Sequence, residues 1–208
     1  MLTLRIQFRD GQRLLLGGRY SFLLFIKSYF QVQSTMSEIQ NPNKGVPSNN
    51  ETIRLEQLKE SLDAAKVHYT ILAQDLTIRS AQEGVEQGLG ELANMAPTFI
   101  LRSENGYLAA VIRGDSRLSY KKIKRELKLK DLSLASPEQV QQATGAEVGY
   151  VSLFNTGIAT IIDSRLTKVD TIFGGCGVPR YTLKINPRDL IVITKARVFD
   201  FTEPTEKV

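Results

Sequence analysis

Apolar residues first recur at a regular spacing in the second quarter of the chain. Leu55, Leu58, Leu62 and Ala65 are separated by three or four positions. Residues at this spacing share one face of a helix. The pattern therefore predicts an amphipathic helix over residues 52–66.

Four further helices are predicted from polar residues that typically precede a first helical turn. Ser80 and Glu83 have the spacing of a capping box, in which each side chain satisfies a backbone donor near the other. The helix that they open is expected to run to about residue 95, although three glycines weaken it. The other three helices are expected to begin after these residues: Ser119, Ser136 and Asn186.

Short runs rich in β-branched and aromatic residues predict strands between the helices. Asn105-Gly106 separates two of these runs and is typical of a tight hairpin turn. The predicted strands cover residues 68–72, 98–101, 107–112, 132–135, 150–154, 158–163, 171–173, 181–185 and 196–201. Because helices and strands are interspersed without a regular βαβ period, we expect a single α+β domain with helices packed on a mixed, mostly antiparallel sheet.

Changes in composition predict the domain boundaries. Residues 1–35 contain five Lys or Arg side chains and one Asp, and their apolar runs fall short of the roughly 20 residues of a membrane span. We expect no membrane partner, and we interpret this stretch as an extension that is either translated upstream of Met36 or a targeting signal. A polar linker, 36–52, is expected to precede the core domain, 53–203, and a short tail, 204–208.

The charge of the chain argues against a strongly basic nucleic-acid binder. The net charge is +5, and residues 1–35 supply +4 of it. The remaining chain carries +1, so any contact with RNA is expected to be small and local. The one basic cluster, residues 121–130, is interpreted as a solvated helix face, with a local RNA-binding patch as the alternative.

The chain has few of the side chains that form covalent or metal-dependent active sites. Cys176 is its one cysteine and His68 its one histidine. A disulfide within the chain and a cysteine-based metal cluster are therefore excluded. The phosphate-loop, zinc-protease and nucleophile-elbow motifs are absent from the sequence. We interpret Cys176 as a small residue on a tight turn and His68 as a surface or strand-edge residue.

Glycine-rich segments in the second half of the chain form the most specific pattern. One contains Thr144-Gly145, Gly149 and Ser152, and the other is Gly174-Gly175-Cys176-Gly177. They follow a Thr98-Phe-Ile-Leu strand and an Ala135-Ser-Pro-Glu-Gln-Val segment. Through the order and spacing of these segments, residues 53–203 resemble the YbaK family, which includes the editing domain associated with prolyl-tRNA synthetase.

The resemblance implies an aminoacyl-tRNA deacylase with a YbaK-like fold, acting in trans on the ester between a wrong amino acid and the tRNA 3′ adenosine. It implies attack by water or a substrate hydroxyl, no metal, no cofactor and a cytoplasmic location. The expected partner is the 3′ end of a mischarged tRNA, and an aminoacyl-tRNA synthetase is a second candidate. The expected site residues are three catalytic ones, Thr98, Gly149 and Ser152, and three substrate-binding glycines, Gly174, Gly175 and Gly177.

Two positions depart from the family pattern. Many members have a lysine immediately before Thr98, where this chain has Pro97, and Leu153 replaces the proline that commonly follows the loop serine. Proline supplies neither a cation nor an N–H donor. Arg102 and Arg113 are therefore the expected substitutes in substrate binding. The alternative hypothesis is a non-catalytic or regulatory module that binds aminoacyl-tRNA or an amino acid.

Overall fold

The computed structural model describes residues 48–205 in full and a few earlier residues by their backbone. The earlier residues form β1 (Arg5–Gln7) and β2 (Arg13–Leu15), which pair antiparallel. They belong to a compact unit, residues 1–46, that is separate from the unit formed by the rest of the chain. Most of the predicted extension and linker, and the last three residues of the tail, lie outside the described residues.

Residues 48–205 contain five α-helices and two 3₁₀ turns. The helices are α1 (Asn49–Ala64), α2 (Ala81–Glu86), α3 (Tyr120–Leu127), α4 (Pro137–Thr144) and α5 (Pro187–Thr194). The 3₁₀ turns are Leu92–Asn94 and Ser164–Lys168. The strands are β3 (Tyr69–Ala73), β4 (Thr98–Ser103), β5 (Gly106–Val111), β6 (Ser116–Leu118), β7 (Leu132–Leu134), β8 (Ala159–Asp163), β9 (Ile172–Gly175), β10 (Tyr181–Ile185), β11 (Arg197–Phe199) and β12 (Thr202–Pro204).

The strands of this unit form one large sheet and two small ones. The large sheet has the order β11-β8-β5-β4-β7, in which β8 pairs parallel with both β5 and β11 and the other pairs are antiparallel. A second sheet, β3-β10-β9, and the pair β12-β6 are antiparallel throughout. The predicted α+β class, with mixed and mostly antiparallel sheets, is confirmed.

Helix α1 begins three residues before the predicted start, inside the predicted linker. The Ser48 hydroxyl accepts a hydrogen bond from the Glu51 backbone N–H, and the Glu51 carboxylate accepts one from the Ser48 N–H at 2.7 Å. This reciprocal capping box satisfies two donors of the first turn and fixes the helix start. The predicted apolar face is buried through Leu55, Leu58 and Leu62.

Helix α2 is much shorter than predicted. The Ser80 hydroxyl caps it by accepting from the Glu83 N–H at 3.2 Å, as the capping-box pattern predicts. The helix ends at Glu86 and does not reach residue 95, because Gly88 has a φ of +77° and turns the backbone out of the helix. The separate 3₁₀ turn then leads the chain towards β4.

The predicted strand over residues 150–154 is wrong. This segment is irregular, because its backbone bonds to the last residue of β9 and to the turn that follows β9, and among residues 48–205 it forms no continuous strand ladder. The Leu153 N–H donates to the Gly175 carbonyl, and the Tyr150 carbonyl accepts from the Gly177 N–H, both at 2.9 Å. The segment therefore docks against the end of β9 and the turn that follows it.

The strands near the end of the chain also differ from those that the sequence predicts. The strand predicted over residues 196–201 is shortened to β11. A separate strand, β12, follows it and pairs with β6, and the apolar pattern predicted neither β12 nor β6. Ser119 precedes α3 as predicted, but its hydroxyl donates to the Glu203 carboxylate at 2.9 Å and makes no capping bond to α3.

The large sheet has a buried cluster on each face. Leu101, Ala110, Ile123 and Phe201 belong to the cluster under α3. The opposite face packs in two further buried clusters, which include residues of α1, of the β3-β10-β9 sheet and of the 150–154 segment. Thr98 pairs with Val111 in the β4–β5 ladder, and Val111 belongs to the cluster on this second face.

Candidate functional site

A small cavity lies where the start of α2, the residues before β4, the 149–150 loop and β9 meet. Its volume is about 70 Å³. We call it the glycine-lined cavity, and its lining residues are Ile78, Arg79, Ser80, Ala81, Leu89, Met95, Ala96, Pro97, Gly149, Tyr150, Phe173, Gly174, Gly175, Tyr181 and Thr182. The cavity therefore brings Gly149, Gly174 and Gly175 together, as the sequence predicts, with Pro97 at the position of the family lysine.

Close backbone packing requires the two glycines of β9. A Cβ on Gly174 would lie 2.7 Å from the Ala96 carbonyl oxygen, and a Cβ on Gly175 would overlap the Val151 carbonyl oxygen. The Ala96 N–H also donates to the Phe173 carbonyl at 2.7 Å. Closely packed, hydrogen-bonded backbone thus forms this wall of the cavity, and Gly174 and Gly175 are required for that packing.

Arg79 is the one cationic residue among the described residues that line this cavity. Its Nε donates to the Tyr150 hydroxyl at 2.6 Å, and its guanidinium carbon lies 5.4 Å from the centre of the Tyr150 ring. The hydrogen bond to Tyr150 raises the pKa of Arg79. Tyr150 is itself buried, so the guanidinium is held against a fixed aromatic surface.

The sequence prediction missed Arg79. Its backbone N–H donates to the Glu83 carboxylate at 2.9 Å. In the predicted capping box this carboxylate would accept from the Ser80 N–H, so only the Ser80 half of the box is formed. Gly149, with a φ of +96°, brings its backbone close to the Arg79 stem, since a Cβ there would lie 3.2 Å from Arg79 Cβ. The one sequence signal was the position of Arg79 directly before the capping box.

The rest of the cavity lining is largely apolar. Ile78, Leu89, Met95 and Phe173 contribute hydrocarbon, sulfur and aromatic surface. Pro97 has no N–H, and its carbonyl accepts from the Ile112 N–H at 3.1 Å. Such a lining favours an apolar group and fits a cavity that selects by size.

Ser152 and Gly177 lie in a second, larger cavity and not with Gly149. This cavity has a volume of about 220 Å³ and is also lined by Arg54 and Cys176. The Ser152 hydroxyl accepts from the Phe154 N–H at 3.1 Å. Five of the six predicted residues are thus divided between the two cavities, and the catalytic role predicted for Ser152 stays a prediction.

Cys176 has the surroundings of a structural thiol. Its sulfur is buried and donates to the Tyr181 carbonyl at 3.2 Å. Burial raises the thiol pKa to about 12. Because the thiolate is the nucleophilic form, Cys176 is inert at neutral pH. His68 is exposed immediately before β3.

Thr98 lines neither of these two cavities. It directly follows Pro97, and its hydroxyl oxygen is buried without a hydrogen-bond partner among residues 48–205. A buried hydroxyl without a partner costs about 1–3 kcal/mol of desolvation. The site role predicted for Thr98 is not tested by this geometry.

The two arginines expected to replace the family lysine do not line the glycine-lined cavity. Arg102 lines a separate pocket together with Glu104 and Asp131. Arg113 donates from Nε and Nη2 to the two Asp115 carboxylate oxygens, both at 2.6 Å, and this pairing raises the Arg113 pKa. Their predicted part in substrate binding stays a prediction.

In the part of the chain that the structure describes, no group of three His, Cys, Asp or Glu side chains is arranged to hold a metal ion. Among the same residues, none of the helices combines the length and the apolar character needed to cross a bilayer.

Comparison with known sequences identifies relatives of part of the chain. The proline–tRNA ligase of Thermotoga neapolitana is 32% identical over 123 residues, which are 55% of this chain and 20% of the ligase. That of Caldicellulosiruptor bescii is 31% identical over 87 residues, 42% of this chain and 15% of the ligase. The chain therefore spans about one fifth of the length of these ligases or less.

Solved structures show the same fold over nearly their whole length. The crystal structure of hypothetical protein APE2540 has a TM-score of 0.67 at 26% identity and covers 71% of this chain and 99% of its own. "Crystal structure of a putative trans-editing enzyme for prolyl tRNA synthetase" describes another, with a TM-score of 0.66 at 23% identity, covering 72% of this chain and 97% of its own.

The glycine-lined cavity lies within the part of the chain that a family model recognises. All of its lining residues, from Ile78 to Thr182, fall inside residues 77–193, which match the aminoacyl-tRNA editing domain. This match covers more than half of the 208 residues. The chain belongs to the aminoacyl-tRNA editing domain family.

Proposed function

We propose that this chain is a trans-acting deacylase that hydrolyses the ester of a mischarged tRNA, with the aminoacyl group seated in the glycine-lined cavity. The observation that carries the proposal is the convergence of Pro97, Gly149 and Gly174-Gly175 on one small cavity inside the matched domain. The relatives named proline–tRNA ligase and the neighbour named a trans-editing enzyme support a substrate charged on the proline tRNA.

The chemistry demands little of the protein because an aminoacyl ester is already activated. Water, or a substrate hydroxyl followed by water, attacks the ester carbonyl, and the products are the free amino acid and the tRNA 3′ hydroxyl. Negative charge develops on the carbonyl oxygen, so polar groups fixed beside it accelerate the reaction. Gly149, Gly174 and Gly175 are the proposed wall against which the ester lies, and Thr98 and Ser152 stay proposed catalytic residues.

The cavity volume limits the side chain that can enter. A volume of about 70 Å³ is less than half of the ~150 Å³ that accepts benzene in an engineered protein cavity. The proposal therefore expects a small aliphatic side chain to bind better than an aromatic or a long one. Each extra methylene changes binding by about 1–3 kcal/mol.

The proposed partner is the 3′ end of the tRNA, in the cytoplasm. Lys121, Arg125 and Lys128 are exposed on or next to α3 and offer a small basic surface for the RNA. The larger, ligase-sized relatives contain the matched region within one chain, so a synthetase that presents the tRNA is the second proposed partner.

Pro97 favours a second candidate function. At this position the chain has neither the ammonium group of the family lysine nor an N–H donor. A domain that has lost the catalytic cation can still bind an aminoacylated 3′ end. The second candidate is therefore a binding or regulatory module without hydrolysis.

The test is a deacylation panel with the full chain. Proline tRNA mischarged with alanine, serine, cysteine or threonine is incubated with the protein, and the correct prolyl-tRNA serves as the control. The proposal expects one mischarged ester to disappear well above its spontaneous rate while prolyl-tRNA is spared. Binding of an aminoacyl-tRNA without loss of any ester would instead support the binding module.

A further inference from the structure

We infer that Arg79, positioned by Tyr150, binds the phosphate of the 3′-terminal nucleotide of the aminoacyl-tRNA. The inference rests on the proposed function for the location of the aminoacyl group. It assigns the role of substrate cation to a side chain that precedes α2, and not to the position before β4 that Pro97 occupies.

The charges of the substrate select the phosphate as the partner. Near the ester, an aminoacyl-tRNA carries a positive α-ammonium group and the negative phosphate of its terminal nucleotide. A guanidinium is always protonated in proteins, so it repels the ammonium group and attracts the phosphate. Arg79 is the cation among the described residues that line the cavity, and the phosphate is therefore its natural substrate contact.

The guanidinium of Arg79 is available for such a contact. The bond to Tyr150 uses Nε, which leaves the two terminal nitrogens. Among residues 48–205, Arg79 forms no ion pair, although the charges of Glu147 and Glu83 add to the rise in its pKa. A planar guanidinium with two free nitrogens is suited to bidentate binding of phosphate oxygens.

Tyr150 makes this geometry persistent. Its ring lies 5.4 Å from the guanidinium carbon, and its hydroxyl accepts the Nε hydrogen bond at 2.6 Å. Tyr150 is buried and belongs to the segment that docks on β9 through the bond between its carbonyl and the Gly177 N–H. An arginine held in this way loses less conformational freedom on binding than a free one.

The test uses minimal substrates that differ only in the phosphate. These are 3′-O-aminoacyl adenosines with and without a 5′ phosphate, each carrying one of the four aminoacyl groups of the deacylation panel. The matching amide-linked analogues, which resist hydrolysis, measure binding alone. Arg79→Gln, Arg79→Lys and Tyr150→Phe are compared with Arg197→Gln, an exposed arginine of β11 that lies outside the cavity.

We expect the Arg79 and Tyr150 variants to lose affinity and kcat/KM for the phosphorylated molecules only. Arg79→Gln should weaken binding of the phosphorylated analogue and lower its kcat/KM by about 10- to 100-fold through KM, as for a lost charged hydrogen bond. Arg79→Lys should recover part of this loss, Tyr150→Phe should show a smaller loss, and Arg197→Gln should behave as the parent protein. The molecules without phosphate should respond to none of these changes.

The inference would be overturned if Arg79→Gln weakened binding of both analogues equally or of neither. It would also be overturned if the parent protein did not bind the phosphorylated analogue more tightly than the one without phosphate. Because the amide analogues report binding without chemistry, these outcomes are separate from the proposed function. A parent protein that binds the phosphorylated analogue through Arg79 but hydrolyses no ester would refute the deacylase and keep the phosphate contact.

Discussion

Replacing Gly175 by alanine should destabilise the domain severely. The new Cβ would overlap the Val151 carbonyl oxygen and would lie 3.0 Å from the Tyr150 carbonyl oxygen. Both neighbours are backbone atoms and cannot rotate away. Relief therefore requires the 150–153 segment to move away from β9.

The magnitude follows from what that movement breaks. Two backbone hydrogen bonds of 2.9 Å join the segments, from Leu153 N–H to Gly175 and from Gly177 N–H to Tyr150. Overpacking costs about 1–3 kcal/mol, and each weakened bond adds about 0.5–1.5 kcal/mol. The expected loss is about 2–6 kcal/mol, out of the roughly 5–15 kcal/mol of a typical domain.

Gly84→Ala is the matched control. Gly84 lies in α2, and a Cβ there would approach the flexible Met95 sulfur at 2.9 Å. Met95 can adjust, and alanine favours a helix over glycine by about 1 kcal/mol. The control should therefore stay within about 1 kcal/mol of the parent.

Urea denaturation followed by far-ultraviolet circular dichroism measures both variants. With a slope of about 2 kcal/mol per molar urea, Gly175→Ala should lower the midpoint by about 1–3 M. A Gly175→Ala variant within about 0.5 kcal/mol of the parent would refute the packing argument. Glycine at this position would then be needed for the substrate and not for the fold.

Two further predictions concern buried polar groups. Thr98→Val should leave the free energy of unfolding unchanged or raise it, because the Thr98 hydroxyl has no partner among the described residues. Thr202→Val should lower it by about 1.5–3 kcal/mol, because the Thr202 hydroxyl donates to the buried Asp163 carboxylate. The urea midpoints of Thr98→Val and Thr202→Val test these two predictions, and an equal loss of stability in both variants would contradict them. The Cys176 thiol, whose pKa burial raises from 9.0 to about 12, should resist alkylation at pH 8 until the protein unfolds. The Cys176 thiol ionises at lower pH in the unfolded chain than in the folded protein, so its contribution to the free energy of unfolding is present below about pH 9 and is lost towards pH 12. If the stability of the parent protein fell with pH over this range in parallel with that of Cys176→Ala, this prediction would be contradicted.

Local signals in the sequence predicted the helix starts well. For α4, the Ser136 hydroxyl accepts from the Gln139 N–H, the Gln139 side chain accepts in return, and Pro137 takes the first helical position. All of these contacts lie within four residues. Helix starts of this kind depend on neighbours in sequence, so the pattern alone is sufficient.

Non-local bonding explains the main failures. The apolar run at residues 150–154 has the composition of a strand, but its backbone bonds to residues near Gly175, and nothing in the run itself indicates that partner. The contact between Arg79 and Tyr150 joins residues 71 positions apart. Sequence spacing therefore could not show that Arg79 replaces the missing cation at the cavity.

The sequence located the packed glycines better than it located the charged side chains, while the site roles of both stay predictions. Gly149, Gly174 and Gly175 meet at one cavity because close packing demands glycine at each. Arg113 was expected to reach the substrate, but it is paired with Asp115 two residues later. That acidic neighbour was visible in the sequence and already favoured a local ion pair.

The central claim is that the aminoacyl ester is hydrolysed with its aminoacyl group in the glycine-lined cavity. A pair of tryptophan substitutions, one that blocks the cavity and one control outside it, tests this claim most directly. Leu89 lines the cavity, whereas Leu76 is 67% exposed and does not line it. Leu89→Trp should fill the space and lower kcat/KM for the mischarged tRNA by about 100-fold, the effect expected when a substrate is displaced by about 1 Å. Leu76→Trp should retain the parent rate. Hydrolysis by Leu89→Trp at the parent rate, or no hydrolysis by the parent itself, would contradict the claim.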